Sequence, residues 1–348
     1  MTALRYLLIF VPLAIAAELL QASALLVFAL SSLGVIPLAG LVGEATEELA
    51  AHTGPRLGGL LNATLGNAAE LIITIFAIRA GLLDLVKASI TGSILGNLLL
   101  VLGASILAGG LKNGTQRFNR TQAGMHATML ILAVIAIMVP SLFSHAIEPN
   151  HSAVEGLSVG DAIVMILVYG LGILYTFTSS QAIPLSHETS HQARWSVRTG
   201  LVVLLVTTVG IAWLSEILVG SVEHVTESLG WSEFFVGIII VPLVGNVAEH
   251  LVAVQVAIKN RMELSIAISL GSSLQIALFV APLLVFISLL LGNPMDLVFN
   301  QFEVIALGAA SLIAAFVALD GESNWLEGAQ LLVVYVILAI AFFYLPTA

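Results

Sequence analysis

The pentapeptide GNAAE at residues 66–70 recurs as GNVAE at residues 245–249, 179 positions later. Each copy ends in a glutamate, Glu70 or Glu249, with an asparagine three residues ahead, Asn67 or Asn246. On a helix that spacing puts amide and carboxylate on one face. Gly66 and Gly245 open the copies, Asn62 and Thr64 precede the first, and Pro242 precedes the second. Glycine and proline weaken a helix locally, and a weakened helix turns backbone carbonyls toward a cavity. Carboxylate, carboxamide and carbonyl oxygens are what a hard divalent cation takes, about six to eight for Ca²⁺. At the same offset Gly92-Ser93 falls on Gly271-Ser272, so Ser93 and Ser272 are expected to add hydroxyls from the next helix of each copy. Gln275, three residues beyond Ser272, is expected to face the same cavity. His250, which replaces Leu71 of the first copy, reads as a proton relay or a hydrogen-bond partner of Glu249. Gly66, Gly245, His250 and Asn97 are placed behind the ligands rather than among them.

Two ionised carboxylates at membrane depth repel each other and are poorly solvated. Protons relieve this, and so does one divalent cation. The expected chemistry is therefore exclusive occupancy by a divalent ion or by H⁺, and hence exchange of one for the other. The acidic stretch GEATEEL carries Glu44, Glu47 and Glu48 ahead of the first copy, and Glu44 and Glu48 fall on Glu223 and Glu227 of the second. These are expected to lie in the connections before the motif helices and to concentrate cations at each mouth. A solvated amphipathic surface is the competing reading.

The elements that position these groups follow from composition. Of 348 residues 59% are apolar and only 9% charged, with 11 basic against 21 acidic side chains and a net charge of −10. So few charges cannot cover a water-soluble enzyme of this length, and the acidic balance excludes nucleic acid as a partner. Cysteine is absent, which removes disulfides and thiolate chemistry. The chain is read as an all-α polytopic membrane protein in a lipid bilayer. Eleven apolar spans are expected, at residues 4–20, 22–41, 57–78, 85–108, 121–140, 157–177, 199–219, 234–258, 264–291, 302–319 and 326–345. Residues 141–159 and 179–197 form the longest polar connections. The repeat divides the chain into a leading helix (1–21), a first five-helix repeat (22–178), an inter-repeat cytoplasmic loop (179–198) and a second five-helix repeat (199–348). Five is odd, so the second copy enters the bilayer from the opposite face and the repeats are inverted, an architecture of secondary transporters. Basic residues split nine to two between the two faces. Arg5, Arg56, Lys112, Arg117, Arg120, Arg194, Arg198, Lys259 and Arg261 stand against Arg79 and Lys87. The rich face is read as cytoplasmic, which puts the N-terminus inside and the C-terminus outside.

The paired GNAAEL and GNVAEH segments, with a Gly-Ser step after each, resemble the signature repeats of the Ca²⁺/H⁺ antiporters of the cation/Ca²⁺ exchanger superfamily, in their compact prokaryotic form. The resemblance covers nearly the whole chain. It implies that Glu70 and Glu249 alternate between Ca²⁺ and protons, that Asn67, Asn246, Ser93, Ser272 and Gln275 contact the cation, and that Ca²⁺ leaves the cytosol of a prokaryotic cell against entering H⁺. Ca²⁺ is then a substrate, and no resident cofactor is implied. Two features depart from the family. The inter-repeat loop SSQAIPLSHETSHQARW lacks the usual acidic run, and there is no long N-terminal regulatory tail. Coupling to Na⁺, or preference for Mn²⁺ or another divalent ion, is the alternative within the superfamily. An intramembrane enzyme would need a paired catalytic set, and the sequence offers neither a zinc motif nor an aspartate in the middle of an expected span. A passive channel gives no reason for two deep carboxylates. The sequence admits a homo-oligomer.

Overall fold

The computed structural model describes residues 5–147, 151–178 and 193–345. Among these, eleven helices follow one another. They are α1 (Tyr6–Leu19), α2 (Ala24–Leu65), α3 (Ala68–Arg79), α4 (Leu83–Asn113), α5 (Arg120–Ile147), α6 (His151–Thr178), α7 (Val197–Leu229), α8 (Glu233–Ile258), α9 (Met262–Leu291), α10 (Gln301–Ala318) and α11 (Trp325–Phe343). Nine have a stretch long and apolar enough to cross a membrane. The 14-residue α1 and the 12-residue α3 fall short of that length. A single strand pair, β1 (Gln116–Arg117) with β2 (Glu322–Ser323), is antiparallel.

Local chemistry sets the helix ends. Ser196 Oγ accepts the Thr199 N–H at the start of α7, and Ser232 Oγ accepts the Phe235 N–H at the start of α8. Asn300 and Glu303 cap α10 reciprocally, side chain to backbone in both directions. Such caps satisfy donors that the first helical turn leaves open. Gly230 ends α7 with φ at 66°, in the left-handed region that favours glycine.

Three helices contain a π-helical turn: α4 at Gly96–Val101, α8 at Val236–Ile240 and α9 at Ile276–Val280. Two of these directly precede the α-helical segments that open on Val241-Pro242 and Ala281-Pro282. Proline removes a donor and crowds the carbonyl four residues back, and a widened turn accommodates both effects.

Helical hydrogen bonding runs through α2 without interruption, but the helix is not straight. A Cβ on Gly58 would lie 2.9 Å from the Ala50 Cβ and carbonyl oxygen. Residues eight apart in a straight helix are separated by about 12 Å, so α2 folds back sharply between these two positions.

Two compact units divide the chain, and each draws on both halves of it. The first comprises residues 1–89, 184–249 and 343–348, and the second residues 90–183 and 250–342. In the first, α2 packs along α7, with α1 and α3 beside them. The seam is close: a Cβ on Gly34 would lie 2.8 Å from Leu214, and one on Gly200 2.9 Å from Leu49. In the second, α5 packs on α6, α9 and α10, and α9 packs on α6. Gln116 ties the turn after α4 to the end of α8, donating to Ala257 O at 2.9 Å and to Asn260 Oδ1 at 3.0 Å.

Three expectations change. The acidic stretch holding Glu44, Glu47 and Glu48 is part of α2, not a connection, and Glu223 and Glu227 lie within α7. Glutamate, alanine and leucine are good helix formers, and their polarity alone does not end a helix. Residues 141–159 are not an extended polar connection either, because α5 runs to Ile147 and α6 begins at His151. The earlier start of α6 places Asp161 well inside the apolar segment Ser152–Tyr175. Residues 179–192 of the inter-repeat loop lie outside the described residues.

Candidate functional site

The first motif copy breaks its helix. Gly66 and Asn67 form a turn between α2 and α3, with Asn67 at the cap position of α3 (φ −97°, ψ 21°). Asn67 is buried, and its carbonyl oxygen accepts the Leu71 N–H at 2.9 Å. Glu70 therefore sits in the first turn of α3, where open N–H groups and the helix dipole favour negative charge. That placement offsets part of the cost of a carboxylate only 1% exposed. Thr74, one turn on, donates to Glu70 O at 2.9 Å and to Leu71 O at 3.0 Å, which steadies this turn. Thr74 was not singled out in the sequence; its position four residues after Glu70, on the same face, is the signal that would have found it.

The second copy is continuous. Gly245, Asn246 and Glu249 all lie inside the α-helical part of α8, Val241–Ile258, and the irregular turn stands ahead of them at Val236–Ile240. The expected one-face arrangement of asparagine and glutamate thus holds for Asn246 and Glu249. In the first copy Asn67 is a cap instead.

The two copies meet within the first unit. Asn246 Nδ2 donates to Glu70 Oε2 at 3.2 Å, with both side chains buried. A Cβ on Gly245 would stand 3.5 Å from Glu70 Cβ and 3.6 Å from its Cα, an ordinary contact distance. Glycine here leaves about one methyl group of room beside the Glu70 backbone. Glu249, the last residue of this unit, is half-buried.

The remaining predicted residues belong to the second unit. Ser93, Asn97, Ser272 and Gln275 are all buried. Ser93 stands three residues before the π turn of α4, while Asn97 lies within it. Gln275 immediately precedes the π turn of α9. Asn97 Nδ2 has no hydrogen-bond partner among the described residues. His250 is half-buried in α8.

The acidic residues fare differently from one another. Glu44 pairs with Arg5 at 2.9 Å. Glu48 is 1% exposed and accepts the backbone N–H groups of Arg194 and Trp195 at 2.6 and 2.9 Å. It thereby fastens the segment leading into α7 onto α2, helped by a 2.7 Å contact of His52 Nε2 with Trp195 O. Glu47, Glu223 and Glu227 are exposed. Among the described residues no three His, Asp or Glu side chains gather to hold a metal ion. A cation at Glu70 would complete its shell from neutral oxygens, which suits Ca²⁺.

The family described as sodium/calcium exchanger protein matches the chain twice, over residues 23–178 and 199–344. The chain is similar to a protein of Aphanothece halophytica named Ca(2+)/H(+) antiporter, at 44% identity over 98% of this chain and 96% of the relative. It is 43% identical to the Ca(2+)/H(+) antiporter ChaA of Bacillus subtilis, over 96% of this chain and 97% of that one. Among solved structures, native YfkE superposes with a TM-score of 0.87 at 42% identity, covering 98% of this chain and all of the other. An H+/Ca2+ exchanger, CAX, shares the fold with a TM-score of 0.78 at 18% identity, over 98% of this chain and 91% of the other.

Proposed function

The chain belongs to the sodium/calcium exchanger protein family, and from that premise we propose that this integral membrane protein exchanges Ca²⁺ for H⁺. The names of full-length relatives at 43–44% identity support the substrates. The observation that carries the reading is the hydrogen bond from Asn246, in one motif copy, to Glu70, in the other. It assigns the repeated GNxxE segments to one functional group rather than to two separate packing roles.

In this reading Glu70 and Glu249 bind either Ca²⁺ or protons. Asn246 donates to Glu70 while no cation is bound. Rotation of its carboxamide by about 180° exchanges the donor for the acceptor Oδ1, a Ca²⁺ ligand. Asn67 contributes from the helix break. Ser93, Ser272 and Gln275 are assigned as further oxygen donors on the strength of the repeat alignment and the family resemblance. Alternating access then exposes the loaded carboxylates first to one face and then to the other. The basic-residue bias directs Ca²⁺ out of the cytoplasm of a prokaryotic cell.

Purified protein in liposomes tests this. An imposed pH gradient without Na⁺ drives uptake of radiolabelled Ca²⁺, and Glu70→Gln and Glu249→Gln each abolish it. Because protons and Ca²⁺ compete for the same oxygens, lowering the pH on the loading face weakens apparent Ca²⁺ affinity. Uptake that requires a Na⁺ gradient and ignores pH would transfer the assignment to the Na⁺-coupled alternative. Full-rate exchange by either glutamine variant overturns the paired-carboxylate mechanism.

A further inference from the structure

A small pocket opens in the second unit where α5 begins beside the start of α9. It is lined by Phe118, Asn119, Gln122, His126, Glu263 and Ile266. It encloses about 190 Å³ of empty space, below the roughly 300 Å³ at which organic-ligand sites begin. An ion with a water or two fits, and a metabolite does not.

The polar wall is assembled from three places: Asn119 in the turn ahead of α5, Gln122 and His126 in its first two turns, and Glu263 in the first turn of α9. Asn119 Oδ1 accepts the Gln122 N–H at 3.2 Å, which leaves it a second lone pair. His126 lies near a predicted helix end, where the sequence suggests a side chain reaching for solvent. Instead it is 3% exposed, and among the described residues neither ring nitrogen has a hydrogen-bond partner. An imidazole carries two polar nitrogens whatever its protonation state. Buried polar groups left unmet are rare and call for an explanation. The pocket that His126 lines supplies one.

We propose that this pocket is a second cation site, separate from the transport carboxylates, which takes a divalent ion of the Zn²⁺ class. An imidazole nitrogen is a poor ligand for Ca²⁺ or Mg²⁺ and a good one for Zn²⁺. Glu263 supplies the charged oxygen, and the carboxamides of Asn119 and Gln122 supply neutral ones. Because the ligands come from α5 and α9, a bound ion fastens the first turn of α9 to α5. Ser272 and Gln275 ride on the same helix, so occupancy restrains their movement and slows exchange. Arg120 and Arg261 flank the two helix starts. Their repulsion weakens binding at low ionic strength, and added salt relieves it.

The test uses the full chain in detergent with Zn²⁺ titrated by calorimetry and Co²⁺ followed by its visible absorption. Both are run in a Glu70→Gln/Glu249→Gln background that silences the transport carboxylates. One Zn²⁺ per chain is expected, with affinity falling at least about tenfold in His126→Ala and in Glu263→Gln. In the otherwise unmodified protein Zn²⁺ slows Ca²⁺ exchange without competing with Ca²⁺, and each variant relieves the effect. Wild-type Zn²⁺ affinity in either folded variant overturns the proposal, and so does the absence of binding in the background protein. Should His126→Ala fail to fold, the exposed Glu263 position decides alone.

Discussion

Glu48 and Glu70 are both 1% exposed carboxylates, yet their surroundings assign them opposite work. Glu48 accepts two backbone N–H groups and lies 3.6 Å from the Arg194 guanidinium, so its charge is balanced by groups that do not leave. Glu70 takes an amide donor from Asn246 and the open end of α3, both of which a cation can replace or re-orient. Removing one partner of a buried charged hydrogen bond costs about 1–3 kcal/mol. Glu48→Gln is therefore expected to lower the melting temperature in detergent while leaving Ca²⁺ uptake per folded molecule intact. Glu70→Gln should abolish uptake and leave the melt nearly unmoved. The 179-residue offset made both residues conspicuous, because each has a glutamate counterpart. It could not separate them, since the partners of Glu48 come from a segment about 146 residues away and no local pattern announces that contact.

Elements follow the same division between local and distant causes. Apolar periodicity located the long helices, because a bilayer demands about 20 apolar residues whatever the tertiary packing. It mistook the acidic end of the first arm of α2 for a connection, because polarity marks exposure rather than the end of hydrogen bonding. The break at Gly66-Asn67 was anticipated from glycine, whereas the continuity of α8 through Gly245-Asn246 was not. There Pro242 is accommodated by the preceding π turn, and the strain does not propagate. Helix crossings were illegible because they depend on which small residues face each other. At Gly328 of α11 an added Cβ would run into the backbone of Leu107 and Gly103 of α4, and at Gly110 it would lie 2.6 Å from Trp325 N. Backbone cannot yield as a flexible side chain does. Overpacking of this kind costs about 1–3 kcal/mol, and it falls here on a helix–helix contact that small residues make possible. Gly328→Val is expected to reduce the folded yield and the melting temperature sharply. Gly220→Val, at a position with open space around it in α7, should be close to neutral in the same thermal assay.

At the scale of the molecule, composition fixed the solvent and charge placement fixes the orientation. A chain that is 59% apolar has few places to put 11 basic residues, and their gathering on one face is what insertion into a membrane reads. Lys112, Arg117, Arg120, Lys259 and Arg261 are all exposed around the α4–α5 and α8–α9 connections, which Gln116 holds together. Lys87 and Arg79 bracket the α3–α4 turn with Asp84 between them. The protein contains no cysteine, so a single introduced thiol reports its side of the membrane without background. Lys259→Cys is expected to resist a membrane-impermeant maleimide in intact cells and to label after permeabilisation, whereas Asp84→Cys labels in both. Both positions are exposed, so neither substitution disturbs packing. The reverse pattern would place the N-terminus outside and invert the direction in which the proton gradient drives Ca²⁺, while leaving the exchange chemistry at Glu70 as it stands.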